Sequence, residues 1–310
     1  MRAEARERPV ATRQFPSIGE LLDREGVLAY VLLAPGVLIL AAFIGYPFLS
    51  SLWLSVTDQS VSTSSARFIG LENFTDELRS QIFLQTVRNS FVYTTVTVAI
   101  KLVLGIALAV LMNQSFRLKN LARAALLLPY IVPTALSAIA WLWLFDATFS
   151  VVNWAIVRSG LADRGINWLG EAGWAMTAII IANVWRGTPF FAITILAGLQ
   201  TVERELLDAA AVDGAGAWQR FWQITLPLVR PVLLIVLLFS IIMTISDFQL
   251  VYVLTRGGPT NSTHLFGTLA YDVAVRAGQL SEGAAISLYM FPVLILCVVA
   301  LQVYLRRSQT

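Results

Sequence analysis

Six long stretches of apolar residues, separated by short polar ones, dominate the pattern along this chain. They run roughly over 27–56, 90–112, 121–145, 172–199, 231–254 and 284–305. A hydrocarbon core about 30 Å thick needs about 20 apolar residues in a helix, and each stretch is long enough or nearly so. Prolines interrupt several of them: Pro35, Pro47, Pro129, Pro133, Pro189 and Pro292. Membrane helices tolerate proline where neighbours satisfy the freed carbonyls, so kinked spans are expected. The pattern predicts an all-α integral membrane fold of six spans, in one membrane domain over 27–306.

Composition agrees with this and narrows the chemistry. Of 310 residues, 57% are hydrophobic and 13% charged; soluble domains average about 25% charged. One cysteine and one histidine exclude an internal disulfide and any site built from several histidines. Neither lysine, Lys101 or Lys119, sits in a phosphate-binding glycine loop. The apolar run after residues 1–26 is too long for the core of a signal peptide, so a cytoplasmic tail over 1–26 and an uncleaved first span are expected. With the N-terminus inside, the cytoplasmic segments hold 13 of the 22 Lys and Arg and the outer segments seven. The positive-inside rule then places both termini in the cytoplasm.

The connection between spans four and five, TVERELLDAAAVDGAGAWQRFWQITLPLVRP over 201–231, is unusual. Glu203–Asp213 reads as a short amphipathic helix with Leu206, Leu207, Ala210 and Ala211 on one face. Gly214 and Gly216 break it. A second short helix carries Trp218, Phe221 and Trp222; Leu226-Pro227 is expected to end it and Pro231 to begin span five. Acids outnumber bases here, which favours a partner protein over an anionic membrane surface. The element is a cytoplasmic helix-turn-helix over 201–230.

Asp208-Ala209-Ala210, three residues, Gly214, nine residues, then Ile224-Thr225-Leu226-Pro227 resembles the EAA motif of ABC importer permeases, with Asp208 in place of Glu. The segments at 126–146, 184–202 and 247–263 are similar to the carbohydrate-uptake branch of that family, the maltose-transporter type. The resemblance implies that the loop docks into a cleft of an ATPase subunit, through Asp208, Ala209, Ala210, Asp213, Gly214, Trp218, Phe221, Ile224, Leu226 and Pro227. It implies a multi-pass permease of the bacterial inner membrane, for a sugar or oligosaccharide, working by alternating access. It also implies a second permease, most simply a heterodimer, an ATPase dimer that binds the ATP-Mg, and an extracytoplasmic solute-binding protein. No cofactor, nucleic acid or catalytic residue is expected of this chain.

Arg186 in span four and Asp247 in span five are charges at membrane depth, which is costly unless they face a wet path or pair. By resemblance the solute path takes Asn183, Arg186, Gly187 and Phe190 with Met243, Thr244 and Asp247. The residues of span four share a helical face at i, i+3, i+4 and i+7. Gly187 is expected to leave room for a sugar ring. An Arg186–Asp247 ion pair is the alternative role for those two. Their charge leaves open an anionic sugar derivative. Lys101 is expected to have a structural partner, Trp141 and Trp143 to sit in the interfacial belt, His264 at the surface and Cys297 buried. An intramembrane enzyme lacks a nucleophile with a base. A stand-alone secondary transporter leaves the loop unexplained and lacks the internal symmetry of such carriers.

Overall fold

The computed structural model describes residues 25–63 and 65–308; most of the expected tail over 1–26 lies outside them. Among the described residues the structure is helical, with one isolated bridge between Thr57 and Phe68. The chain divides into two units, Met1–Ser51 and Leu52–Thr310. Among the described residues, five helices are long and apolar enough to cross a membrane, or six if a bent pair is counted as one span.

Helix α1 is Leu28–Ser55. It contains a wide π turn over Ala41–Gly45, in which the Tyr46 N–H bonds to Ala41 O, five residues back. Pro47 explains it: a proline ring clashes with the carbonyl four residues earlier, and a widened turn makes room.

The second unit follows. A short helix α2 (Glu72–Glu77) leads to α3 (Gln81–Asn113), whose N-cap Ser80 side chain accepts the Phe83 N–H. The third apolar stretch is two helices, α4 (Lys119–Ile131) and α5 (Thr134–Leu144), bent by 91° at Val132-Pro133. The residue before a proline is pushed out of helical geometry, and Val132 is extended. Helix α6 is Val151–Arg158 and α7 is Ala172–Leu199. Then come α8 (Arg204–Val212) and α9 (Ala217–Ile245), followed by α10 (Gln249–Leu254), α11 (Phe266–Tyr271) and α12 (Leu280–Tyr304).

Two expectations about span five need correction. The helix does not end at Leu226-Pro227 and restart at Pro231; it runs unbroken from Ala217 to Ile245. A second π turn, Phe221–Thr225, with Leu226 N–H bonded to Phe221 O, accommodates Pro227 just as the first accommodates Pro47. The span also stops at Ile245 instead of Leu254, and α10 is a separate helix.

Helix α7 is the axis of this unit. Of its most apolar window 56% is buried, against 33% for α3 and 28% for α9. Val98, Phe191, Ile195 and Val236 join α3, α7 and α9 in one core cluster. Tyr93, Ala138, Ile179 and Leu250 join α3, α5, α7 and α10 in another. Exposed apolar residues such as Val103, Leu136 and Ile139 face outward, as expected of surfaces bathed in lipid instead of water.

Candidate functional site

The seven residues expected on the solute path, from Asn183 to Asp247, all line one cavity of about 400 Å³. That is within the range of small-molecule sites, about 300–1,000 Å³. Lys101, Tyr130 and Phe239 line it too. One helical face of α7, the end of α9 and the gap before α10 therefore converge, although 64 residues separate Asn183 from Asp247.

Asp247 sits in the gap between α9 and α10, beyond the helix in which the sequence pattern placed it. Its Oδ2 accepts from the Tyr93 hydroxyl at 2.8 Å and from the Asn183 Nδ2 at 2.6 Å. Its Oδ1 accepts the Leu250 N–H at 3.4 Å in the first turn of α10. A carboxylate is favoured there, since N–H groups at a helix start are otherwise unpaired.

The alternative Arg186–Asp247 ion pair is not formed. The ion pairs among the described residues are Arg67–Asp58, Arg79–Asp76 and Arg276–Asp272. The Arg186 Nε is buried without a hydrogen-bond partner. Lys101 is buried on α3, and its Nζ donates to Thr244 Oγ1 at 3.2 Å. Its stem fills the space above Gly187, where a β-carbon would come within 2.6 Å of Lys101 Cε. Gly187 thus makes room for Lys101, not for a sugar ring.

Aromatic rings line the same cavity. Tyr130 stacks on Phe190 with ring centroids 5.7 Å apart, and Phe190 meets Phe239 at 5.3 Å. Such faces suit the C–H surface of a sugar ring, while the cavity's hydrogen-bonding groups suit its hydroxyls. The Asn183 Oδ1 is buried with no partner of its own.

Sequence reasoning missed Tyr93, Tyr130 and the place of Lys101. A signal existed for α3: Ser90, Thr94, Thr97 and Lys101 form a polar stripe at i, i+4, i+7 and i+11, and all are buried. A polar stripe on an apolar span marks its inward face. Tyr130 carried no such mark.

The second site is the pair α8 and α9 at 204–225. Gly214 has φ +85°. The Ala215 N–H bonds to Ala210 O at 2.9 Å and the Gly214 N–H to Ala211 O at 3.1 Å, a helix ending that favours glycine at this position. Arg220 Nη1 donates to Leu207 O at 3.3 Å and ties the two helices together. Asp208, Ala209, Asp213, Gly214, Trp218 and Pro227 are exposed. Ala210, Phe221, Ile224 and Leu226 are half-buried. Trp218 and Phe221 each meet Trp222 at 5.5 Å, and Trp218 is 72% exposed. An apolar aromatic pad therefore stands uncovered beside an exposed acid.

Other expectations meet the structure as follows. His264 is buried, not at the surface; its Nδ1 lies 3.3 Å from Thr268 Oγ1, and burial holds its pKa below the ordinary value. Trp141 packs inward, stacked on Phe145 and edge-on to Trp185, whereas Trp143 is exposed. Cys297 is buried. In α2, burial and the like charges of Glu282 and Asp76 push the Glu77 carboxyl up to about 7.

Comparison with known proteins adds sequence kinship to this geometry. Residues 101–310 match the family described as binding-protein-dependent transport system inner membrane component. The chain is 36% identical over 303 residues to the sulfoquinovosyl glycerol transport system permease protein of Agrobacterium fabrum, covering 97% of each. It is 34% identical over 272 residues to the trehalose/maltose transport system permease protein of Thermococcus litoralis, covering 88% of this chain and 91% of that one. In fold it is similar to a chain of a bacterial alginate ABC transporter solved with an alginate pentasaccharide-bound periplasmic protein. There the TM-score is 0.79 at 20% identity, over 93% of this chain and 96% of that one.

Proposed function

The chain belongs to the family of binding-protein-dependent transport system inner membrane components, and from that premise we propose that it is a permease subunit of a carbohydrate importer. It is a multi-pass protein of the inner membrane. A separate ATPase pair supplies the energy, a second permease completes the pathway, and an extracytoplasmic binding protein delivers the solute. Both termini and the 201–230 loop face the cytoplasm. That loop docks on the ATPase through Asp208, Gly214 and the Trp218–Trp222 pad, and ATPase closure rocks the spans between outward-facing and inward-facing states. The solute crosses by way of the α7/α9 cavity.

The observation that carries this reading is the cavity itself. It brings aromatic rings and hydrogen-bonding groups together at a break between two helices, and interrupted helices near mid-membrane are where transporters bind their cargo. The names of both relatives mention saccharides or their derivatives.

The test is a pull-down of the tagged chain from detergent-solubilised native membranes, with an ATPase assay on the eluate. The expected result is co-elution of an ATPase and a second permease, and stimulation by a binding protein loaded with one member of a sugar panel. Elution of the chain alone, with no nucleotide dependence, would overturn the proposal.

A further inference from the structure

We infer that the solute this cavity carries bears a negative charge: a carbohydrate with one sulfonate, phosphate or carboxylate group, held by Lys101 and Arg186. The inference rests on the carbohydrate reading above and narrows it.

The charged groups lining the cavity, among the described residues, are Lys101, Arg186 and Asp247. Asp247 is already served by three neutral donors: the Tyr93 hydroxyl, the Asn183 amide and the Leu250 N–H. Neither cation lies in an ion pair with it. Lys101 has three N–H donors and uses one, on the neutral Thr244 hydroxyl. Arg186 has five, its Nε is buried with no partner, and no hydrogen bond or ion pair of the described residues includes its guanidinium. Two cations thus face the cavity against one carboxylate that already accepts from three neutral donors.

A cation at membrane depth is costly unless it is paired or in water. Lys101 has no easy retreat, because its stem is wedged over Gly187 on the buried side of α3. The aromatic rings of Tyr130, Phe190 and Phe239 present only one polar tip and lower the local dielectric, which strengthens any charge–charge contact made in the cavity. Hydrogen bonds from an ionised donor to an ionised acceptor are shorter and about twice as strong as neutral ones. A sugar bearing an anion therefore gains from both cations, whereas a neutral sugar uses them only as ordinary donors.

The experiment measures binding directly to the solubilised complex of this chain with its co-purified subunits. The solute-binding protein is left out, so that its own selectivity does not enter. The probes are methyl glucoside, trehalose and maltose, each beside its 6-phosphate or 6-sulfonate, titrated by calorimetry. At least one anionic member is expected to bind ten times more tightly than its neutral counterpart, and K101M and R186Q are each expected to remove most of that advantage. Equal or tighter binding of the neutral members would overturn the charge inference and leave the carbohydrate reading standing. No binding by any member would overturn both. If the variants fail to fold, the wild-type comparison decides alone.

Discussion

The cavity and the 201–230 loop are built in opposite ways. The cavity takes side chains from α3, α4, α7, α9 and the gap before α10, and its polar groups, Lys101, Asn183 and Thr244 buried among them, are cross-braced over 143 and 154 residues of sequence. The loop takes neighbours from one short segment, holds them by bonds that span no more than 13 residues, and leaves its aromatic pad exposed. One is braced across the fold; the other leaves an apolar surface uncovered. A change in the cavity is therefore felt through packing and desolvation, and a change in the loop through lost contact with something else.

The largest effect that could break this comparison is at the loop. Gly214→Asp puts a side chain at φ +85°, a left-handed conformation that costs about 1–2 kcal/mol for a residue with a β-carbon. It also turns the aromatic pad relative to α8. Transport is expected to fall about 100-fold, the equivalent of about 2.7 kcal/mol of coupling, with normal amounts of protein in the membrane. Asp208→Lys should do the same without touching the fold. Vesicle uptake with immunoblotting checks both, and wild-type uptake would show that the loop does not transmit motion.

The next effect is in the cavity. Tyr93→Phe and Asn183→Ala each take one donor from the half-buried Asp247 carboxylate. An unmet buried acceptor costs about 1–3 kcal/mol, so both variants should lower the thermal midpoint of the purified protein as well as uptake. The exposed loop variant Asp208→Lys should lower uptake alone. If the midpoints do not separate the cavity variants from it, the contrast between the two regions fails.

Gly187→Ala is smaller. Its methyl group would meet the Lys101 stem at 2.6 Å and displace the ammonium group from Thr244. Overpacking of this kind costs about 1–3 kcal/mol. A several-fold weakening of solute binding is expected by calorimetry, and a melting midpoint for Gly187→Ala with Lys101→Ala no lower than that of Lys101→Ala alone would tie the effect to the clash.

The smallest effect lies in neither region. The Glu77 carboxyl holds its proton up to about pH 7 in the folded chain, against 4.5 ordinarily. The folded state binds that proton more tightly, so its stability rises as pH falls from about 7 towards 4.5 and is lost again on the way up. For a half-buried, solvent-screened group this amounts to about 1 kcal/mol. Glu77→Gln should flatten that part of the melting profile between pH 5 and pH 8.

What was legible in the sequence follows the same divide. The loop's motif is a matter of spacing along one segment, so Asp208, Gly214 and Trp218 stand out without knowledge of the fold. Arg186 and Asp247 stand out as charges in apolar runs, and the α7 face from Asn183 to Phe190 follows from helical spacing. Tyr130 and Tyr93 look like ordinary aromatic residues of a span, and only the packing of α3 and α4 against α7 makes them part of the site. The end of α9 at Ile245 was hidden because no Gly or Pro marks it; Ser246 and Asp247 terminate the helix with their neighbours still apolar. Its start was misread for the reverse reason. Pro227 and Pro231 look like punctuation, yet a π turn absorbs the first and the helix continues through the second.

That unbroken helix has a mechanical consequence. From Phe221 to Met243 it measures about 33 Å at 1.5 Å per residue, with the aromatic pad at one end and the cavity lining at the other. A stiff rod of that length converts a tilt of about 5° at its foot into a shift of about 3 Å at its tip, the width of a water molecule. The π turn at Phe221–Thr225 is the one place along it where the backbone is loosely wound, so the rod has a compliant ankle beside its aromatic pad.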